Sequence, residues 1–218
     1  MRLLLIRHGQ TPDNVRGALG TTAPGVGLTT LGRRQAEALP DALAGESIGA
    51  ILVSNLVRTQ LTAAPLAARL GLAPVIDDGL REVEAGDLEL KTDHVSVSIY
   101  MAAVLSWVSG DLDVRVPGAQ DGHEFFARYD AGIAAAVATG QETVAVVSHG
   151  AAIRVWAGSR ADNIDGDFMA SHLLENTGVV VLEGSFDDGW QMLGWEGLPV
   201  GGEQLVDPSA ADPTGEGY

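Results

Sequence analysis

The sequence predicts an α/β fold: a three-layer α/β/α arrangement around a mostly parallel central sheet, closed by a C-terminal β-hairpin. Three observations carry that expectation. Apolar, β-branched runs alternate with stretches of helical spacing. Two of those runs lead into a His-Gly pair, LLLI (3–6) through Arg7 and TVAVVS (143–148) directly. The last two apolar segments flank Ser185-Phe186-Asp187-Asp188, a polar turn that reads as a hairpin connection.

Taken in order, RLLLI (2–6) is a central strand. TTLGRRQAEALPDAL (29–43) is a helix with Thr29 or Thr30 as N-cap and apolar positions at Leu31, Ala36 and Leu39, shortened or kinked by Pro40. IGAILV (48–53) is a second buried strand, VRTQLTAAPLAARL (57–70) a helix stopped by Gly71, and APVID (73–77) a short strand. Residues 80–120 break the rhythm and read as an insertion with one helix at 93–108. A helix at 121–138, the strand 143–148 and a helix from 150 to 157 restore it, followed by β segments 177–184 and 189–196. One domain is expected over 1–199. The Gly-, Pro- and Asp-rich residues 200–218 are expected to form a flexible acidic tail.

Composition narrows the function. The chain has 218 residues, is 46% hydrophobic and 19% charged, and can bury a substantial core. A net charge of −16 disfavours nucleic acid and anionic membranes as partners. No apolar run approaches the roughly 20 residues of a membrane helix, and the apolar stretch before Arg7 is too short for a secretory core. With no cysteine there is neither a disulfide, a thiolate nucleophile nor a thiolate-ligated metal. A cytoplasmic setting is the simplest expectation. The 13 basic residues, mostly arginine, are few enough for their positions to be informative.

Several of them fall at strand ends. His8 and His149 each follow an apolar strand and precede a glycine, Arg7 closes the first strand, and Arg58 lies in the first turn after the strand ending at Ser54. In open α/β sheets ligands collect beyond the carboxyl ends of the strands. If the three strands are parallel, Arg7, His8, Arg58 and His149 converge there. The two glycines would let backbone approach a ligand, and nearby helix N-termini favour an anion. A lone strand-end histidine is more often structural than catalytic. A cationic cluster inside a very acidic protein needs a cause, and a bound phosphate supplies one.

Arg7-His8-Gly9 with Thr11 and Asn14, then LTTLGRRQA (28–36), SNLVRTQLTA (54–63), LREVEAGDLE (80–89), VVSHGAAIR (146–154) and NTGVVVLE (176–183), resembles the ordered motifs of the histidine phosphatase superfamily, which includes cofactor-dependent phosphoglycerate mutases. The resemblance implies a phosphoglycerate mutase-like fold and a phosphomonoester hydrolase acting on a small phosphorylated metabolite. It makes His8 the nucleophile that becomes phosphohistidine, its neutral form favoured by the flanking arginines. Arg7, Arg58 and His149 would hold phosphoryl oxygens, with Asn14, Gly20, Thr21 and Gly150 as further substrate contacts. Glu82 would be the proton donor, with Glu84 in reserve and Arg81 as a structural partner.

Some positions depart from the pattern. Asp87-Leu88-Glu89-Leu90 stands where an aromatic followed by Glu-Gly is usual, and the loop after Asn14 lacks its usual regularity. These differences bear on substrate, not on the phosphohistidine step. No cofactor and no metal site are expected. Arg16 is expected to be an exposed loop residue, and His94, His123 and His172 structural or surface groups. Trp107, Phe125, Phe126 and Tyr129 are expected in the helical core. A mutase-type phosphotransferase is the alternative, weakened by an insertion whose only cations beyond Arg81 are Lys91 and Arg115. A phosphate-binding domain without turnover is the second alternative.

Overall fold

The computed structural model describes residues 1–214. Six strands form one sheet in the order β3-β2-β4-β1-β5-β6: β1 (Arg2–Arg7), β2 (Ala50–Val53), β3 (Val75–Ile76), β4 (Thr143–Ser148), β5 (Val179–Ser185) and β6 (Gly189–Glu196). β1–β4, β2–β4 and β2–β3 pair parallel, while β5 and β6 add an antiparallel hairpin to the β1 edge. Side chains alternate between the two faces, as the period of two along a strand requires. Leu3, Leu5, Val144 and Val146 join one core cluster, while Leu4, Ile6, Ala145 and Val147 join the other. Neither face meets water, which is why these strands read as unbroken apolar runs.

Helix α2 (Thr30–Ala42) and helix α3 (Val57–Leu70) cover one face, contributing Leu39, Ala63 and Leu66. The other face carries α4 (His94–Val108), α5 (Gly122–Ala138) and α6 (Gly150–Arg160). Thr29 caps α2 by accepting from the Gly32 N–H, and α2 runs through Pro40 to Ala42. Gly71 ends α3 in the left-handed conformation at φ 67°. Asp121 and Glu124 form a capping box at the start of α5. The expected aromatic residues Trp107, Phe125, Phe126 and Tyr129 are buried, and Trp107, Phe125, Tyr129, Trp156 and Trp190 form a chain of ring contacts with centroids 5.5–6.0 Å apart. This chain of rings ties the 80–120 insertion to the body of the domain, so the insertion packs as core.

Two short helices, α1 (Pro12–Arg16) and α7 (Gly166–Ser171), have no apolar periodicity long enough to announce them in the sequence. Helix α6 extends three residues beyond its expected end, to Arg160. The tail expectation needs correction. Residues 203–205 form a 3₁₀ turn, Gln35 donates to Leu205 O at 2.8 Å, Gln10 donates to Asp207 at 2.8 Å, and Asp212 is buried. The polar side chains that suggested a solvated segment are instead hydrogen-bonded to the domain. Residues 215–218 lie outside the described residues. Among the described residues, no helix is long and apolar enough to cross a membrane.

Candidate active site

The carboxyl ends of β1, β2 and β4 lie side by side, with Arg7 in register with Ser148 and Val53 with Val147. His8, one residue past β1, donates its backbone N–H to Ser148 O at 3.0 Å. Gly9 then passes against helix α2: a Cβ there would stand 2.6 Å from Gly32 O. The glycine after His8 therefore serves backbone-on-backbone packing, not the ligand approach expected of it. The Thr62 hydroxyl accepts the Gly9 N–H, and Asn176 donates to His8 O. The loop that carries the imidazole is thus held from three sides.

His8 is buried, and its Nδ1 lies 2.8 Å from Gly9 O. A carbonyl only accepts, so Nδ1 carries the proton and Nε2 keeps its lone pair. Burial, then the charges of Arg58 and Arg7, hold its pKa well below the ordinary imidazole value. The arginines act in the expected direction, but desolvation is the larger cause. The result is a neutral imidazole in one tautomer.

His149 follows β4 directly and meets both Arg58 and Ser54. Arg58 Nε donates to His149 Nδ1 at 3.2 Å, and His149 Nε2 lies 2.8 Å from Ser54 Oγ. A guanidinium N–H can only donate, so Nδ1 is bare and Nε2–H points to Ser54. Both ring nitrogens are occupied within the protein. The His149 ring stands edge-on to His8, with centroids 5.2 Å apart. In this arrangement it orients Arg58 and packs the nucleophile, and it offers no spare donor to a phosphoryl oxygen. Burial lowers its pKa as well, ahead of the charge on Arg58. Arg58 itself is lowered to about 10 by burial and remains cationic near neutrality.

Glu82 lies in the extended segment after the 3₁₀ turn 78–80. Its carboxylate accepts from Val83 N at 2.9 Å and from Ala152 N and Ala151 N, at 2.8 and 3.3 Å, in the first turn of α6. Burial raises its pKa against the pull of the Val83 N–H and Arg58, so it holds its proton to higher pH than an ordinary carboxyl. Glu84, the reserve candidate, faces away, half-exposed, and pairs with Arg81 at 2.8 Å. Arg81, expected as the structural partner of Glu82, pairs instead with Glu84 and Asp78.

His8, Asn14, Gly20, Thr21, Arg58 and Glu82 share one cavity of about 20 Å³. Arg7, His149 and Gly150 do not line that cavity. Arg7 donates to Leu174 O at 2.7 Å, and a Cβ on Gly150 would come 3.0 Å from Arg7 Nε. Asn14 sits in the capping box of α1, its Oδ1 taking the Thr11 N–H, which leaves Nδ2 to donate outward. A Cβ at Gly20 would meet the Asp13 carboxylate at 2.2 Å, so a side chain there would require Asp13 to move. Arg16 pairs with Asp13 and is largely exposed, as expected.

Three groups escaped the sequence reading. Glu89 accepts from Thr21 N, Thr21 Oγ1 and Thr22 N, so the Thr21 hydroxyl is committed to organising its loop. Its signal was its place in the LREVEAGDLE segment. Leu90, where glycine is usual, adopts φ 60°, the left-handed region that glycine favours. Asp212 accepts from both Arg7 and Asn14, and nothing local in the sequence marked it.

Comparison with known proteins gives the family and the fold. The pattern described as histidine phosphatase superfamily (branch 1) matches residues 3–197. The PE-PGRS family protein PE_PGRS11 of Mycobacterium tuberculosis is 36% identical over 216 residues, covering 92% of this chain and 37% of the relative. A glucosyl-3-phosphoglycerate phosphatase of M. tuberculosis is 36% identical over 110 residues, covering 49% of this chain and 47% of the relative. A structure of the mycobacterial glucosyl-3-phosphoglycerate phosphatase with VO3 superposes with a TM-score of 0.75 at 28% identity, covering 89% of this chain and 98% of that one. The chain spans less than two fifths of the length of the first curated relatives it matches.

Proposed function

Because the chain belongs to branch 1 of the histidine phosphatase superfamily, we propose that it hydrolyses a small phosphorylated metabolite through a phosphohistidine at His8. The observation that carries this reading is a neutral, single-tautomer imidazole sharing a buried cavity with a carboxyl whose pKa is raised. His8 Nε2 attacks phosphorus while Nδ1–H stays on Gly9 O. Arg58 and Arg7 neutralise the phosphoryl oxygens, the planar guanidinium forks suiting that charge, and the Asn14 amide donates to them. Protonated Glu82 gives its proton to the departing alkoxide. The resulting carboxylate then takes a proton from the water that splits the N–P bond, releasing inorganic phosphate and restoring both groups. His149 acts through Arg58. A cytoplasmic setting belongs to the same reading, supported by a composition without cysteine.

Hydrolysis is favoured over a mutase reaction because both guanidiniums of the insertion are committed elsewhere. Arg115 pairs with Asp121 and Glu124, and Arg81 with Glu84. With a panel of phosphomonoesters, the protein is expected to release inorganic phosphate. With 3-phosphoglycerate plus 2,3-bisphosphoglycerate, isomerisation is expected to be slower than phosphate release. Fast isomerisation without release would reverse the assignment to transferase.

A further inference from the structure

The leaving group of any substrate must lie outside the phosphoryl cavity, and the space that meets it is defined. Thr21 lines both that cavity and an adjoining open vestibule of about 460 Å³. Asp78, Glu84 and Glu89 contribute three carboxylates to the vestibule wall, and Arg81 is its one guanidinium. Arg81 is not free to meet a ligand. Its Nε and Nη2 donate to Glu84 at 3.1 and 2.8 Å, and its Nη1 donates to Asp78 O at 3.1 Å. A phosphomonoester with a second anionic group would therefore enter a field of its own sign with no available counter-charge. An alcohol with hydroxyl or ammonium donors would meet acceptors.

Resting on the hydrolase reading, we propose that the substrate is a phosphomonoester whose alcohol part carries no negative charge, a polyol or amino-alcohol phosphate. Asp78 and Glu84 set that preference, Glu84 by holding Arg81 out of reach. The test uses the full chain and esters matched in size: glycerol 3-phosphate against 3-phosphoglycerate, and glucose 6-phosphate and glucosamine 6-phosphate against 6-phosphogluconate. The acidic member of each set is expected to show kcat/KM lower by about tenfold or more, chiefly through KM. Glu84→Gln releases Arg81 and is expected to close most of that gap, chiefly by raising kcat/KM for the acidic esters. Asp78→Asn, on an exposed side chain, is the second variant. Equal or better use of acidic esters by the wild type would overturn the proposal and leave the hydrolase reading standing. An acid-to-neutral ratio unmoved in both variants would overturn the residue assignment. No release from any ester would remove the hydrolase reading and this proposal together.

A different observation carries a second inference. Arg7 Nη2 pairs with the Asp212 carboxylate and donates to Thr214 Oγ1 at 3.0 Å, and Asn14 Nδ2 donates to Asp212 at 3.2 Å. Asp212, Pro213 and Thr214 line the cavity beside His8, and the volume left is about that of one water. We infer that the Asp212 carboxylate competes with the substrate's phosphoryl group for Arg7 and Asn14, so the segment must withdraw before a substrate binds. Asp212→Ala and the isosteric Asp212→Asn, made in the full chain, are expected to lower KM and the vanadate inhibition constant several-fold, with kcat preserved. An unchanged or raised KM, or a fall in kcat, would overturn this inference, because the segment would then belong to the working site.

Discussion

Replacing His8 with alanine is expected to abolish turnover, with kcat falling by on the order of 1,000-fold or more, as when a covalent nucleophile is removed. The variant separates chemistry from binding. Arg58 is held by His149, and Arg7 by Leu174 O, neither through His8. The anion site should therefore survive, with inorganic phosphate binding within about tenfold of wild type, because ion-pair donors rather than the imidazole supply its affinity. Wild type stopped during turnover of a radiolabelled ester by alkaline detergent is expected to retain label on histidine, stable in base and lost in acid. His8→Ala is expected to retain none. Wild type that binds phosphate but never carries covalent label would favour a domain that binds without catalysing.

Glu82→Gln is expected to lower kcat for alkyl phosphates by about 100- to 10,000-fold, the usual range for a lost general acid. The first step should be nearly spared with p-nitrophenyl phosphate, whose phenolate leaves without a proton. Water would then lack its base, so phosphohistidine accumulates and nitrophenol appears as a burst equal to the enzyme present. An equal loss on both ester types would deny Glu82 the acid role. The pH dependence follows from two opposite displacements. His8, held below the ordinary imidazole value, stays neutral and nucleophilic into acid solution. Glu82, raised by burial, stays protonated above the ordinary carboxyl value. For alkyl esters kcat/KM is therefore expected to rise as His8 loses its proton and to fall as Glu82 loses its own. Glu82→Gln should remove the falling limb. Its amide can still accept from Val83 and Ala152, and the donor now facing Ala151 costs about 1–3 kcal/mol. A thermal melt distinguishes that loss from the kinetic one.

How much of this was legible in the sequence depended on how local the cause was. Strands β1 and β4 are buried on both faces, so their ends stood out, and with them Arg7, His8 and His149. Arg58 was legible because it opens the helix after β2. Glu82 could not be separated from Glu84 by pattern, since both sit in one acidic stretch. The separation comes from tertiary burial against the first turn of α6, some 70 residues away. The partners of His149 were not legible because hydrogen bonds, unlike strand ends, leave no periodicity: Ser54 and Arg58 together occupy both of its nitrogens. The segment ending at Thr214 was the largest miss. Its Gly, Pro and Asp content resembles a solvated chain, yet Asp212 meets an arginine 205 residues earlier. Composition carries no trace of such a pairing.

Strands β2, β4 and β1 are consecutive in the middle of the sheet, flanked on one side by β3 and on the other by β5 and β6. Local fraying begins at sheet edges, so it reaches the nucleophile last. Heat or denaturant should not produce a population that keeps its native circular dichroism after losing the histidine and its arginines. Inactivation and cooperative melting become one event, and the amide protons of the first strand should report it.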